Sequence, residues 1–125
     1  MIALLDAHAL IWALTDDPRL SKDARAAVKD PVNEVLVSAA TAWELSIKEA
    51  SGKLTLTGSL LEDIETAGFT WLPITPGDAV SAAALPVHHR DPFDRMLVAQ
   101  AIRLDAILVT RDRNLAAYGV EVLTA

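Results

Sequence analysis

Short runs of apolar residues recur along the chain and predict the strands of a buried sheet. Ile2–Leu5 and Ala106–Val109 are wholly apolar, and Glu34–Val37 contains a single polar residue. Continuous apolar runs, rather than alternating ones, are typical of strands covered on both faces, as in a parallel sheet. Thr70–Pro73 and Val120–Leu123 are weaker candidates. The pattern therefore predicts a sheet of about five strands.

Helical patterns lie between these runs. Ser38 can cap a helix over Ala39–Ser51, which Gly52 ends. Ala40, Trp43, Ile47 and Ala50 form the apolar stripe of that helix, as expected of a buried face. The other predicted helices are His8–Thr15, a helix from the Ser21 cap to Lys29, Leu60–Ala67, a helix from the Thr75-Pro76-Gly77-Asp78 capping box to about Leu85, a helix from the similar Asp91-Pro92-Phe93-Asp94 segment to Leu104, and a short turn over Asn114–Tyr118.

Strands and helices alternate along the chain, which predicts an α/β fold. The expected architecture is a three-layer α/β/α sandwich around a mainly parallel sheet. No repeat, low-complexity segment or linker divides residues 1–125, so we expect one domain. Ligands of open parallel sheets bind beyond the carboxyl ends of the strands, and candidate chemistry is expected there.

Composition narrows the functions that such a fold could carry. Acidic residues outnumber basic ones by 17 to 11 and the formal net charge is −6, whereas modules that bind nucleic acid by charge alone are usually basic. An acidic balance suits a nuclease only if the acids gather at a metal site, because bound cations reverse the local charge. The chain has no cysteine, which excludes disulfides, thiolate nucleophiles and Cys-ligated zinc.

The apolar stretches are too short for export or membrane insertion. The first run ends at Asp6 and has no basic flank, unlike a signal peptide. No window reaches the roughly 18 apolar residues of a membrane span. We therefore expect a cytoplasmic protein with no membrane partner.

Three carboxylates fall where the fold predicts a ligand site. Asp6 directly follows the first strand, and Asp112 follows the Ala106–Val109 strand with two residues between. Asp94 begins the helix before that strand, at the tip of an otherwise apolar stripe. Each has a structural alternative, because Asp at such positions commonly caps a helix and Asp94 could pair with the backbone of Asp91.

Glu44, inside the helix after the second strand, is a fourth candidate. Taken alone, its simplest interpretation is an i,i+4 ion pair with Lys48. Converging carboxylates, however, repel one another unless they share a proton or a cation. Oxygen ligands without cysteine favour Mg²⁺ or Mn²⁺ over zinc. Such ions activate water and neutralise charge on a phosphoryl group, so the four acids together predict phosphodiester hydrolysis.

Four segments of the chain are distinctive in sequence, order and spacing. They are Leu4–Trp12 (LLDAHALIW), Ser38–Lys48 (SAATAWELSIK), His88–Leu97 (HHRDPFDRML) and Val109–Asp112 (VTRD). Together they resemble a PIN-domain subfamily of VapC-like toxins over nearly the whole chain. The DPFDR segment, with Asp112 following Asp94 by 18 residues, is quite specific. Two positions depart from the pattern: Ala7 stands where relatives often carry Thr or Ser, and Asn114 stands where some carry another acid.

The resemblance implies a PIN-like fold with an acidic quartet, Asp6, Glu44, Asp94 and Asp112, that binds one or two Mg²⁺ or Mn²⁺ ions and carries catalysis. It also implies endoribonuclease activity, homodimerisation and neutralisation by a VapB-type antitoxin, which would make this chain the toxin of a toxin–antitoxin pair. Thr110 matches the hydroxyl residue that the family places beside the last acid, in support of the metal ligands.

Other polar residues beside the quartet are candidate substrate contacts. Asp91 is better explained as the N-cap of its helix than as a metal ligand. Arg95 could hold an RNA phosphate, although solvent exposure or a pair with a nearby acid explains it equally well. His8 could contact substrate or cap its helix. The other arginines with the same two interpretations are Arg90, Arg111 and Arg113.

The remaining histidines and the tryptophans are given structural interpretations. His88 and His89 could form a zinc pair or a proton shuttle, but no third ligand is evident, and a loop role is favoured. Trp12, Trp43 and Trp71 lack a basic setting, which favours packing in the core or at a dimer interface over stacking on bases.

Two further classes of function are alternatives to a nuclease. A haloacid-dehalogenase-like phosphatase requires a second Asp two residues after the first, where this chain has His8, and a receiver domain requires a Lys near its last strand, where Val120–Ala125 has none. A PIN-fold binding protein with a weak or inactive site is the other alternative. The intact set of four acids favours the enzyme.

Overall fold

Five parallel strands form one sheet in the computed structural model, which describes residues 1–125. They are β1 (Ile2–Leu5), β2 (Glu34–Ser38), β3 (Thr70–Leu72), β4 (Ile107–Thr110) and β5 (Val122–Thr124). The spatial order is β3-β2-β1-β4-β5, and every neighbouring pair is parallel. The predicted α/β fold with a mainly parallel sheet is confirmed.

Six α-helices and one 3₁₀ helix connect the strands. The capping box predicted at Thr75 is present: Thr75 Oγ1 accepts the Asp78 amide at 3.0 Å, and Asp78 Oδ2 accepts the Thr75 amide at 3.1 Å. No helix combines the length and apolar character needed to cross a membrane. The helices are α1 (Ala7–Leu14), α2 (Lys22–Lys29), α3 (Ala39–Ala50), α4 (Leu60–Thr66), α5 (Pro76–Ala84), α6 (Pro92–Leu104) and the 3₁₀ helix Arg113–Tyr118.

The strands bury side chains on both faces of the sheet. Leu4 and Leu108 pack with Leu97 of α6 in one apolar cluster, while Leu5 and Val109 belong to a second cluster on the opposite face. Successive side chains of a strand point to opposite faces, so a sheet covered by helices on both sides requires apolar residues at every position. This is why the strands appear in the sequence as continuous apolar runs.

Part of one predicted helix face and the predicted starts of two strands are wrong. Ala40 of the predicted stripe is buried, but Trp43 and Ile47 are 63% and 44% exposed, because α3 turns Thr41 and Leu45 toward the core. Ala106 precedes β4: its amide bonds to the Ala101 carbonyl at 2.9 Å and so completes the C-terminus of α6. Val120 is buried ahead of β5, so its apolar character reflects core packing and not a strand.

The strand order fixes where a ligand site forms. The chain runs outward from β1 through β2 to β3, and then crosses to the other side of β1 to form β4 and β5. A crevice opens at the carboxyl ends of strands where the direction of winding reverses in this way. Here those strands are β1 and β4, which are followed by Asp6 and Asp112.

Candidate metal centre

Asp6 is fixed directly beyond β1 by two backbone contacts. Its amide donates to the carbonyl of Val109 in β4 at 3.0 Å, and its Oδ1 accepts the amide of Ala9 at 2.8 Å as the N-cap of α1. The residue is buried, and Oδ2 accepts no hydrogen bond within the protein. The capping role considered from the sequence is real, but it uses only one of the two carboxylate oxygens.

Asp112 is held at the matching position beyond β4. Its Oδ1 accepts the Asn114 amide at 3.0 Å and thereby caps the 3₁₀ helix. The hydroxyl of Thr110, the last residue of β4, accepts the Asp112 amide at 3.1 Å. Thr110 is buried and holds the backbone that carries the acid, while its support of metal ligands stays a prediction.

Asp94 lies in the first turn of α6 and leaves its carboxylate free of backbone bonds. Asp91 is the N-cap, as predicted: its Oδ1 accepts the amides of Phe93 and Asp94 at 2.8 Å and 3.4 Å. The reciprocal bond of a capping box is absent, because the Asp91 amide donates instead to Nδ1 of His89. The alternative in which Asp94 pairs with the Asp91 backbone is therefore wrong.

Glu44 takes both of the roles considered for it. Its Oε2 accepts a hydrogen bond from Lys48 Nζ at 2.8 Å, which is the expected i,i+4 pair. The same side chain lines a small cavity together with Asp6, Asp94 and Asp112.

This cavity has a volume of about 170 Å³ and a strongly charged wall. Ala7 is its only apolar lining residue, and the cations Lys48 and Arg111 are outnumbered by acids. These two basic side chains do not balance the negative charge of the acids, so the cavity is a favourable place for a bound cation. The acids that line it are Asp6, Glu44, Asp91, Asp94 and Asp112, and the polar residues His8 and Thr110 complete the wall.

The crowding of carboxylates raises the pKa of Asp94 to about 7. Burial is the largest cause, because it penalises the charged form, and the charge of Asp91 is the next. Asp6 and Glu44 act in the same direction, whereas a positive charge on His89 would oppose them. The raised pKa of Asp94 is consistent with its place close to Asp6, Glu44 and Asp91.

His89 belongs to this cluster, contrary to the favoured loop role. Its Nε2 lies 2.8 Å from Asp112 Oδ2 and 3.5 Å from Asp94 Oδ2, and these three side chains place their ligand atoms within 4.8 Å of one another. Asp6 and Glu44 line the same cavity outside that tight group. Sequence reasoning missed His89 because its partner Asp112 is 23 residues away in the chain.

Arg95 is not among the residues that line the cavity, and its contact with an RNA phosphate stays a prediction. Both terminal nitrogens of its guanidinium donate to backbone carbonyls, and Nη1 also donates to the hydroxyl of Tyr118. The bonds tie α6 to the chain that precedes it. The carbonyls are those of Ala82, Ala83, Leu85, Pro86 and His89.

His8 and Arg111 lie where they can meet a substrate. Both line the acidic cavity, and the ring of His8 also packs edge-on against Trp12 at 5.8 Å. The pKa of His8 is lowered, first by burial and then by Arg111, so the ring is neutral near pH 7. Arg111 lies over the buried ring of Trp12, at 5.7 Å from its centroid. Trp12 is thus a core residue, as predicted, and Trp43 packs at the surface against Phe93.

Comparison with known proteins identifies the family. Residues 3–121 match the PIN domain, and the chain therefore belongs to the PIN domain family. It is 35% identical over 123 residues to Ribonuclease VapC22 of Mycobacterium tuberculosis, in a match that covers 92% of this chain and 90% of that protein. Membership of this family excludes the phosphatase and receiver-domain alternatives.

Solved structures support the same fold. The structure of FitAcB from Neisseria gonorrhoeae aligns with a TM-score of 0.65 at 25% identity, over 99% of this chain and 97% of that chain. The structure of VapBC2 from Rickettsia felis, bound to a DNA fragment from their promoter, aligns with a TM-score of 0.67 at 14% identity and covers 98% of both chains. At that identity the second match speaks for the fold alone.

PIN-domain nucleases use divalent metal ions, and the donor set of this chain fits such an ion. Carboxylate groups converge on one cavity, the Oδ2 atom of Asp6 lacks a protein partner, and Asp94 is held at a raised pKa that a cation would relieve. Oxygen donors of this kind are those that hard divalent cations prefer.

Proposed function

We propose that this chain is a metal-dependent endoribonuclease that acts in the cytoplasm as the toxin of a toxin–antitoxin pair. The observation that carries the proposal is the convergence of Asp6, Glu44, Asp94 and Asp112 on one cavity at the carboxyl edge of the sheet. The 35% identity to a protein named a ribonuclease supplies the substrate class. The relative's name, Ribonuclease VapC22, and the VapC-like segments of this sequence support a VapB-type antitoxin as the partner.

The same four acids would hold Mg²⁺ or Mn²⁺. When bound there, the ion supplies a nucleophile from water at neutral pH and neutralises charge that develops on the phosphoryl group. The carboxylates fix its place, and Thr110 holds the backbone of Asp112. Lys48 and Arg111 line the cavity and can attract the phosphates of an RNA strand into it.

Hydrolysis of RNA tests this function directly. Purified protein incubated with total cellular RNA and Mg²⁺ or Mn²⁺ is expected to cut internally and to leave 5′-phosphate and 3′-hydroxyl ends, which end mapping detects. Cleavage should stop with a chelator and return on adding metal. Cleavage that persists in excess chelator, or ends that carry a 3′-phosphate, would contradict the metal-dependent mechanism.

The metal-free protein should lose stability as the pH rises from 5 to 8. The folded-state pKa of Asp94, about 7, lies above that of an unfolded Asp, so the folded state binds the extra proton in this window and loses that advantage as the pH increases. The expected loss is about 1–2 kcal/mol, less than the full shift implies because the carboxyl keeps some contact with solvent. Asp94→Asn should abolish this slope, as denaturant titrations at the two pH values would measure.

Metal should reverse that loss, because a ligand that binds the native state stabilises it by mass action. At pH 7.5, millimolar Mg²⁺ or Mn²⁺ is expected to raise the melting temperature of the wild type, and Asp6→Asn should weaken the response. A melting temperature that neither ion changes would show that the acids do not form a metal centre.

A further inference from the structure

The loop between α5 and α6, residues 85–91, is fastened to the rest of the protein at several points. The hydroxyl of Tyr118 accepts the amides of His88 and His89 at 3.1 Å and 2.8 Å. Arg95 donates to the carbonyl of His89 at 3.1 Å and to the carbonyls of Leu85 and Pro86 at 2.8 Å and 3.0 Å. These contacts fix the backbone on either side of the His89 ring, so the position of that ring is set by the fold.

The contacts of the His89 ring also determine which nitrogen carries its proton. A backbone N–H can only donate, so the Asp91 amide, 3.2 Å from Nδ1, requires Nδ1 to be the acceptor. The proton of the neutral ring is therefore on Nε2, which donates to Asp112 Oδ2 at 2.8 Å. With Nδ1 accepting and Nε2 donating, neither nitrogen has a lone pair free for a metal ion.

Asp112 is consequently held through both of its oxygens. Oδ1 accepts the Asn114 amide at 3.0 Å, and Oδ2 accepts the Nε2–H of His89. Two bonds from separate elements fix the plane of the carboxylate, and each oxygen keeps a lone pair for a cation. His89, Asp94 and Asp112 form a cluster with metal-ligand spacing. The direction of the hydrogen bonds makes His89 a hydrogen-bond donor in this cluster and leaves the two acids as its potential metal ligands.

We propose that His89 is a positioning residue, which orients Asp112 toward the metal and does not itself bind the metal. The proposal rests on the proposed function of this site. Partners that hydrogen-bond to metal ligands commonly contribute 10- to 100-fold to metal affinity by fixing the orientation of the ligand. The histidine thereby leaves the centre with oxygen ligands alone, which is the set that Mg²⁺ and Mn²⁺ prefer over zinc.

The protonation pattern of the ring can be observed in the wild-type protein without any substitution. Long-range ¹H–¹⁵N NMR spectra of the imidazoles, recorded before and after adding Mg²⁺, should show for His89 a protonated Nε2 and an unprotonated Nδ1 in both states. An unprotonated Nε2 in the presence of Mg²⁺ would mean that this nitrogen is free to bind the ion, and it would overturn the proposal.

Metal affinity of matched variants provides the second test. Titration calorimetry with Mn²⁺ and no RNA should give a Kd about tenfold weaker for His89→Ala than for the wild type. His89→Gln should recover most of the loss, because its amide N–H can reach the place of Nε2–H. His88→Ala, which removes the neighbouring exposed imidazole that packs on Tyr118, should leave the Kd unchanged. Equal affinities for His89→Ala and His88→Ala, or failure of His89→Gln to recover, would overturn the proposal.

These measurements separate the role of His89 from the proposed function. A wild type that binds Mn²⁺ with the expected dependence on His89 but cuts no RNA would leave the positioning role standing and remove the nuclease. Metal-dependent cleavage by the wild type, together with a Mn²⁺ affinity that His89→Ala leaves unchanged, would remove the positioning role and leave the nuclease standing. A wild type that binds no Mn²⁺ would overturn both.

Discussion

Replacing Asp6 or Asp94 with Asn is expected to lower RNA cleavage by about two orders of magnitude or more, because each change removes a charge from the metal ligands, where even changes in supporting residues cost 10- to 100-fold. The fold should survive both changes. Asn caps helices as well as Asp does, so Asp6→Asn can keep the bond to the Ala9 amide. Asp94→Asn removes a carboxylate that burial and neighbouring acids already disfavour.

The matched control is Asp105→Asn. Asp105 is an exposed residue with a left-handed backbone (φ 51°) at the end of α6, a conformation that Asn tolerates. Cleavage rates at saturating Mn²⁺, with circular dichroism and melting curves to confirm folding, should separate Asp105→Asn, which stays active, from the two site variants. Wild-type cleavage by folded Asp6→Asn or Asp94→Asn would show that the catalytic residues lie elsewhere.

Much of the fold was predictable because strands that are buried on both faces of the sheet require continuous runs of apolar residues. Ile2–Leu5, at the centre of the sheet, must be apolar at every position, and so must the core of β4 beside it. Asp6 and Asp112 were then located by a general property of parallel sheets, whose carboxyl ends meet at one edge. Glu44 and Asp94, which lie on helices, depended on the family resemblance and not on the pattern alone.

The roles of His89 and Arg95 could not be predicted, because each depends on partners far away in the chain. His89 meets Asp112 across 23 residues, and Arg95 meets the Tyr118 hydroxyl, also across 23 residues. Nothing in the local sequence separates a histidine that orients a carboxylate from one in a loop, or an arginine that binds phosphate from one that binds carbonyl groups. Arg95 pairs within the protein, but with backbone carbonyls rather than with the nearby acids that the sequence suggested.

A helix-capping role and the proposed metal-binding role are compatible in a single residue. Asp6 and Asp112 each use Oδ1 to cap a helix and keep Oδ2 for the cavity or for His89. Asking whether such an Asp is a cap or a ligand therefore poses a false choice. A carboxylate has enough acceptor positions for both, and the cap fixes the orientation that a ligand requires.

The surface beside the acidic cavity indicates how an antitoxin could inhibit this protein. An apolar groove of about 500 Å³ runs between α1 and the chain before α4, and its walls include Ile11, Leu14 and Leu54. A second cavity of about 350 Å³ shares Ile11 and Leu54 with this groove, and it shares His8 and Lys48 with the acidic cavity. These shared residues make the three cavities neighbours, so that an amphipathic segment could lie across them with an Arg paired to the site carboxylates.

Expression of this chain alone is therefore expected to arrest bacterial growth, and co-expression of its antitoxin should relieve the arrest. We expect the adjacent gene to encode that partner, a short protein with a DNA-binding N-terminal half and an amphipathic C-terminal tail that carries an Arg. Asp94→Asn should be harmless without any partner, because it removes cleavage and not folding. Replacing the tail Arg with Ala should restore toxicity in part, because the apolar contacts would remain. Normal growth on expression of folded, RNA-cleaving wild type would contradict the toxin role and leave the nuclease chemistry intact.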